Sequence, residues 1–452
     1  MPKEKEDAAP KKAAGRPAKK APQLLRGFRD ILPVDQPYWR WVRNTAESFA
    51  AGYGFEEIGL AILEETSLFS RSIGNQTDIV SKEMFTFIDK SDGSLTLRPE
   101  ATASVARAYI THGMLNLPQP VKLYYWGPMF RRERPQAGRQ RQFHQLGFEA
   151  LGDDNPVIDA QLILLAYNFF KALGLDGISI QINSIGTPQA RHEYVKELVG
   201  YFRSKRKLLP VEEKERLSKN PLRLLDSKDP VCQQLRADAP QLMDWLDDAS
   251  KTHFMKVIEY LDELDIPYTL NPYLVRGLDY YTRTVFEIWP GEQEEGAQSA
   301  LGGGGRYDGL IELLGGRPTP AAGFSCGVER IILQLKARGI ALPHQDTAEV
   351  FLAQIGDAAK IKAVTLFEQL RTAGIRTGES FSKDGLKTQL EAAHKHGVQY
   401  VLIIGQKEVL DGTILIRDME SGVQEIIDFK KTVAEIKKKL ANGSNSGQVN
   451  GL

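Results

Sequence analysis

Residues 121–131 and 143–151 are two aromatic-rich, strand-like runs, and the loop between them packs five arginines into residues 131–141. With Pro135 and Gly138 as turn signals, this pattern predicts an antiparallel hairpin. That hairpin constrains the fold more than any other feature, because its strands need a buried sheet while its loop must keep a dense positive field in water or against anions. Phosphate is the natural partner. The return strand alternates, so Phe143, Gln145, Gly147 and Glu149 share one face and His144, Leu146, Phe148 and Ala150 the other. A flat ring, an amide, a missing side chain that leaves room and a carboxylate suit a nucleotide base and a small, donor-rich molecule. The same pattern also fits a solvent-exposed edge strand with a charged turn.

The chain has 452 residues, room for two to four domains. A first block, about 24–184, opens with RGFRDILP at 26–33 and an amphipathic helix around 38–51. From about 186 to 265 the texture turns charged and helix-favouring, with Lys/Glu pairs at three and four spacing, which reads as an insertion. Strand and glycine-rich sequence returns over 268–314 and runs into a helix after Gly327. The block after Pro343 alternates strand (349–355), helix (358–373), strand (375–379), helix (386–396) and strand (400–405), which predicts a βαβ unit with a parallel sheet. Residues 1–22 hold seven basic and three acidic side chains and no large apolar residue after Met1, a composition of a solvated tail or of one that gathers a polyanion. Residues 441–452 are uncharged and flexible by composition.

With 42% hydrophobic and 26% charged residues the chain falls among globular proteins. Its two cysteines, Cys232 and Cys326, form no disulfide framework or thiolate cluster, and Cys326 is expected to pack beside its neighbouring glycines. No run approaches the roughly 18 apolar residues of a membrane span, and no signal-peptide core is visible. A cytoplasmic setting is expected. His394 and His396, at i and i+2 on a helix, point to different faces, so no metal site is expected.

Two further clusters join the hairpin. LRPEAT at 97–102 ends a short strand, with Thr102 placed to cap the next helix and Glu100 beside its start. LVRGLDYY at 274–281 puts Arg276, Asp279, Tyr280 and Tyr281 just before a β-branched strand. The glycine run 302–305 lacks the order of a dinucleotide fingerprint or a Walker loop, and reads as a tight turn that lets backbone approach a ligand.

Together, LRPEAT at 97–102, the arginine hairpin with RQFHQLGFE at 141–149, LVRGLDYY at 274–281 and GGRYDG at 304–309 resemble the class II histidyl-tRNA synthetases, of bacterial type. With 26–33, 323–333 and the last block, the resemblance covers nearly all of 24–440. It implies an α+β catalytic core, a class II antiparallel sheet flanked by helices, over 23–343 with a helical insertion at about 187–266, and an α/β anticodon-binding domain over 344–440. It implies a homodimer without membrane attachment that joins histidine and ATP into histidyl-adenylate, with Mg²⁺ on the phosphates, and passes the histidyl group to tRNA(His). By motif, Arg131 would hold the α-phosphate, Glu133 and Phe143 the adenine, and Arg330 the γ-phosphate, while Arg276 would stabilise charge on the α-phosphate. Glu100, Thr102 and Gln145 would take the amino end of histidine, with Glu149, Tyr280, Tyr281 and Tyr307 around the imidazole. Arg134, Gln136 and Arg139 would meet the tRNA acceptor end. Ala101 and Ala61 stand where the family has glycine and proline. A catalytically silent relative serving as a regulatory subunit of histidine biosynthesis is the competing reading; such relatives lack the last domain and the Arg276 block.

Overall fold

The computed structural model describes residues 21–74, 77–136, 138–291, 300–343 and 348–446, so the basic tail lies outside the described residues. The chain divides into two compact units, Met1–Ala341 and Leu342–Leu452.

The first unit is built on an eight-stranded sheet. In spatial order its strands are Glu56–Glu57, Val121–Phe130, Gln142–Leu151, Ala321–Gly327, Gly302–Arg306, Thr282–Trp289, Ser179–Ser184 and Thr269–Leu270. The six central strands pair antiparallel, and only the two-residue strands at the edges pair parallel. The predicted hairpin supplies the second and third strands, with Tyr125 opposite Gly147 and Phe130 opposite Gln142. Period-two alternation sorts the two faces. Leu146, Phe148 and Ala150 bury against helices Gln36–Tyr53, Pro156–Ala172, Asp248–Glu263 and Val328–Ala337, in one cluster with Phe286, Phe324 and Cys326. Leu123, Tyr125 and Val285 turn the other way, toward helix Thr102–Thr111 and the 188–245 helices. That second face holds the cavity.

One local expectation changes. The glycine run is not a turn but the central strand Gly302–Arg306. A Cβ on Gly303 would stand 2.6 Å from Arg276 Nη1, and one on Gly304 would overlap the Gly323 carbonyl, so the neighbouring strands and the Arg276 side chain leave no room for side chains there. The helices of 187–266 serve both faces of the sheet: the last, Asp248–Glu263, packs on the back through Phe254, Val257 and Leu261, while the earlier ones cover the cavity face. A separate three-stranded sheet (Leu63–Glu65, Ser94–Leu97, Phe85–Ile88) leaves Ile62, Leu63, Phe87 and Ile88 exposed.

The second unit has the five-stranded order Thr377–Glu379, Val350–Gln354, Tyr400–Ile404, Thr413–Asp418, Gln424–Asp428. The first three strands run parallel with helices between them, as the alternation predicts, but the last two add an antiparallel hairpin, so the sheet is mixed. The last helix, Thr432–Ser446, continues past 440.

Candidate active site

A cavity of about 980 Å³ opens on the sheet face that carries Phe143 and Gln145. Its rim is basic. Arg131 donates from Nε to the Pro99 carbonyl at 2.8 Å and lies over the Phe143 ring, 5.2 Å from its centroid. Glu133 sits between Arg131 and Arg139, 3.8 Å from each. Arg330, near the start of the Val328–Ala337 helix, is held by the carbonyls of Gly138 at 3.1 Å and Ala300 at 2.6 Å. Burial, and then the charges of Arg139 and Arg131, hold its guanidinium below the ordinary arginine value, which is the situation an incoming anion relieves. Glu83 is pushed up by burial and by Glu133.

Deeper in, the chemistry becomes acid and phenol. Arg276 Nη1 donates to Glu287 at 2.5 Å, and its guanidinium lies 5.2 Å from the Tyr281 ring centroid. Tyr281 packs on Tyr280 at 4.8 Å and Tyr280 on Tyr307 at 5.7 Å. Burial raises all three phenols, so they stay protonated donors near neutral pH. Tyr307 donates to Glu149 Oε2 at 2.6 Å, and Thr102 Oγ1 donates to Oε1 at 2.7 Å. Burial pushes the Glu149 carboxyl up to about 8, although these hydrogen bonds pull the other way. Two buried polar atoms on the wall, Gln145 Oε1 and Arg276 Nε, have no hydrogen-bond partner within the protein. Each is a group a ligand could satisfy.

A pocket with arginines at one end and a buried carboxyl with tyrosines at the other can hold a polyphosphate and a small donor-bearing molecule side by side. The comparisons decide which family built it. The family described as histidyl-tRNA synthetase matches residues 27–198 and 202–331. The chain belongs to the histidyl-tRNA synthetase family. A family described as an anticodon binding domain matches residues 349–439. A histidine–tRNA ligase of Dehalococcoides mccartyi is 46% identical over 92% of this chain and all of its own length. One of Pelotomaculum thermopropionicum is 44% identical over 93% of this chain and 99% of its own. Among solved structures, the apo histidyl-tRNA synthetase of S. aureus superposes with TM-score 0.78 at 37% identity, covering 92% of this chain and all of that one.

The residues expected from the family's motifs divide into three groups. Glu100, Thr102, Arg131, Glu133, Arg139, Phe143, Gln145, Arg276, Tyr280, Tyr281 and Arg330 all line one cavity, although they come from four separate stretches of chain. Glu149 and Tyr307 stand behind that wall, joined to it through Thr102 and Tyr280. Arg134 and Gln136 are exposed on the hairpin loop outside the cavity.

Two expectations are corrected. Thr102 does not cap its helix: the Glu100 carboxylate does, accepting from the backbone of Thr102 at 2.7 Å and Ala103 at 3.0 Å. The longer side chain reaches back over the helix start and frees the Thr102 hydroxyl for Glu149. The room left by Gly147 holds no ligand, because the Tyr125 ring and hydroxyl fill it from the facing strand. Glu287 escaped the sequence reading, yet it was findable: on strand Thr282–Trp289 it shares the parity of Val285, which faces the cavity side, so a carboxylate at 287 had to enter the pocket. The cavity wall formed by 210–213, Arg216, Arg223 and 226–229 carried no such signal, since helices far along the chain bring it there.

Proposed function

We propose that this cavity is where the chain, a histidine–tRNA ligase, activates histidine with ATP before passing it to the 3′ end of tRNA(His). The carboxylate oxygen of histidine attacks the α-phosphorus, the bond to the β-phosphate oxygen breaks, and pyrophosphate leaves. A hydroxyl of the terminal adenosine then attacks the acyl carbon and releases AMP. Positioning and preorganised positive charge are what such transfers need, and arginine's fixed charge and planar fork supply both. Arg131 holds the α-phosphate, Phe143 and Glu133 the adenine, and Arg330 the γ-phosphate. Arg276 stabilises charge on the α-phosphate as it forms. Glu100, Thr102 and Gln145 receive the amino end of histidine, and Glu149 with Tyr280, Tyr281 and Tyr307 surrounds the imidazole. Arg139 at the rim, with the exposed Arg134 and Gln136, meets the acceptor end of the tRNA.

The observation that carries this reading is the junction, in one cavity lined by Arg276, of an arginine rim with a wall of Thr102, Tyr280 and Tyr281, backed by the buried Glu149 and Tyr307. Among the described residues no group of three or more His, Cys, Asp or Glu side chains is arranged to hold a metal ion, and Glu287 and Glu329 are already paired with Arg276 and His144. Magnesium would sit on the phosphates of ATP. The exposed apolar residues of the small sheet support a homodimer. The two buried free thiols support a cytoplasmic setting, and among the described residues no helix is long and apolar enough to cross a membrane. The regulatory-subunit reading is not favoured, because the Arg276 block and the anticodon-binding domain are both present. Histidine-dependent exchange of pyrophosphate into ATP tests the proposal. Exchange with histidine alone among amino acids supports it, and no exchange, or exchange with any amino acid, overturns it.

A further inference from the structure

The segment carrying Arg276, Tyr280 and Tyr281 belongs to no helix or strand. Its shape depends on what grips it from outside. Asn183 Nδ2 donates to the Leu274 carbonyl at 3.0 Å, and the Asp279 amide donates to the Ile73 carbonyl at 3.1 Å. The remaining grip comes from the helical stretch over the cavity. Arg191, in the first turn of helix Pro188–Ser204, donates from Nη1 to the Tyr281 carbonyl at 2.6 Å and from Nη2 to the Asp279 carbonyl at 3.4 Å. Arg223, in the short Pro221–Leu224 helix, pairs with Asp226 at 2.5 Å and lies against Gly277, where a Cβ would stand 2.7 Å from its Nη2. Two guanidiniums from one helical stretch thus meet the backbone on both sides of Leu278.

We propose that Arg191, seconded by Arg223, is a positioning residue for histidine activation: it fixes the backbone of Tyr281 and so sets the two side chains that address the reacting ends of the substrates. The path is short and continuous. Arg191 holds the Tyr281 carbonyl, the Tyr281 ring packs under the Arg276 guanidinium at 5.2 Å, and Tyr281 packs at a tilt on Tyr280, which packs on Tyr307. Tyr307 ends the path on Glu149. Arginine suits the task because its planar fork reaches two carbonyls at once without needing a partner charge. Burial lowers its pKa, yet a guanidinium stays protonated, so the clamp does not open with pH. The helical stretch is therefore a working part of the amino-acid pocket and not only a cover over it. A small misplacement of Arg276 and Tyr281 weakens histidine binding and the adenylation step together, while the ATP contacts of Arg131, Phe143 and Arg330 are built on other elements.

The inference rests on the proposed synthetase function, and the same assay separates the two. Arg191→Ala, Arg191→Lys and Arg223→Ala are made in the full chain and compared with wild type in pyrophosphate exchange, varying histidine and ATP in turn. For Arg191→Ala we expect the histidine KM to rise about tenfold or more and kcat to fall about tenfold, with the ATP KM within twofold. Arg191→Lys, with a single ammonium that can reach one carbonyl, should recover part of both losses. Arg223→Ala should raise the histidine KM about threefold. Histidine KM and kcat within twofold of wild type in Arg191→Ala would overturn the proposal, as would an ATP KM that rises as far as the histidine KM or a lysine variant no better than alanine. Should Arg191→Ala fail to fold by circular dichroism, Arg191→Lys and Arg223→Ala decide on the same split between the two KM values. Wild-type protein without histidine-dependent exchange would overturn the functional reading instead.

Discussion

Replacing Glu149 by glutamine should make the protein more stable at neutral pH and worse at binding histidine. The carboxyl is buried and accepts from Thr102 and Tyr307, and burial pushes its pKa up to about 8. In the unfolded chain it titrates near ~4.3, so its folded pKa is raised and the native state holds a proton that the unfolded state releases. The sign follows: its contribution is fully present below about pH 4 and is lost as pH rises through 8, at about 1.4 kcal/mol per pH unit in between. Between pH 5 and pH 7.5 this amounts to about 3 kcal/mol. Glutamine keeps the shape, its carbonyl accepts from Thr102, its amide donates to the Tyr307 oxygen, and it does not titrate. The variant should therefore match wild type near pH 5 and exceed it in urea unfolding at pH 7.5. Its apparent histidine KM should rise about 10- to 100-fold, because an imidazole N–H draws the carboxyl into its charged form as it binds and glutamine has no charge to give, with the ATP KM nearly unchanged. A stability difference that stays flat from pH 5 to 8 would refute the buried, protonated carboxyl. A histidine KM and kcat within twofold of wild type would refute its place in the pocket.

Arg276→Ala should leave a folded, ATP-binding protein whose pyrophosphate exchange falls by about two to four orders of magnitude, and near-wild-type exchange would remove Arg276 from the reaction. Phe143→Ala should show the opposite bias to Glu149→Gln, raising the ATP KM while the histidine KM holds, as steady-state exchange would reveal. Gly323→Ala places a Cβ onto Glu149 Oε2 and against the Phe148 carbonyl, so urea denaturation should show a loss of about 2 kcal/mol or more, and an unchanged midpoint would mean the strand can shift. Ending the chain after Ala341, at the border of the two compact units, should keep histidine-dependent exchange while tRNA charging becomes inefficient; equal loss of both would show that the second unit supports the catalytic core.

Local patterns determined a good part of this protein. The hairpin at 121–130 and 142–151, the face that sets Phe143 and Gln145 apart from Leu146 and Phe148, and the strand–helix alternation of the second unit follow from period two, period 3.6 and turn residues, which act over a few neighbours. The densest functional motifs were legible too, because Arg131, Glu133 and Phe143 lie within one hairpin and Arg276, Tyr280 and Tyr281 within one loop. Contacts between distant segments decided the rest. Period two put Glu149 on the cavity side of its strand, but only the arrival of Thr102 and Tyr307 from other elements made it a buried acid titrating near 8. The gap at Gly147 was visible as a gap, and which group would fill it depended on strand register, which brought Tyr125 opposite. The glycines at 302–305 carry no side chains to reveal a face, so their place as a central strand was set by pairing with Thr282–Trp289 and Ala321–Gly327, which come from other parts of the chain. Arg191 looked like any charged residue on a helix, since a guanidinium that grips carbonyls ninety residues away leaves no periodic trace in the sequence.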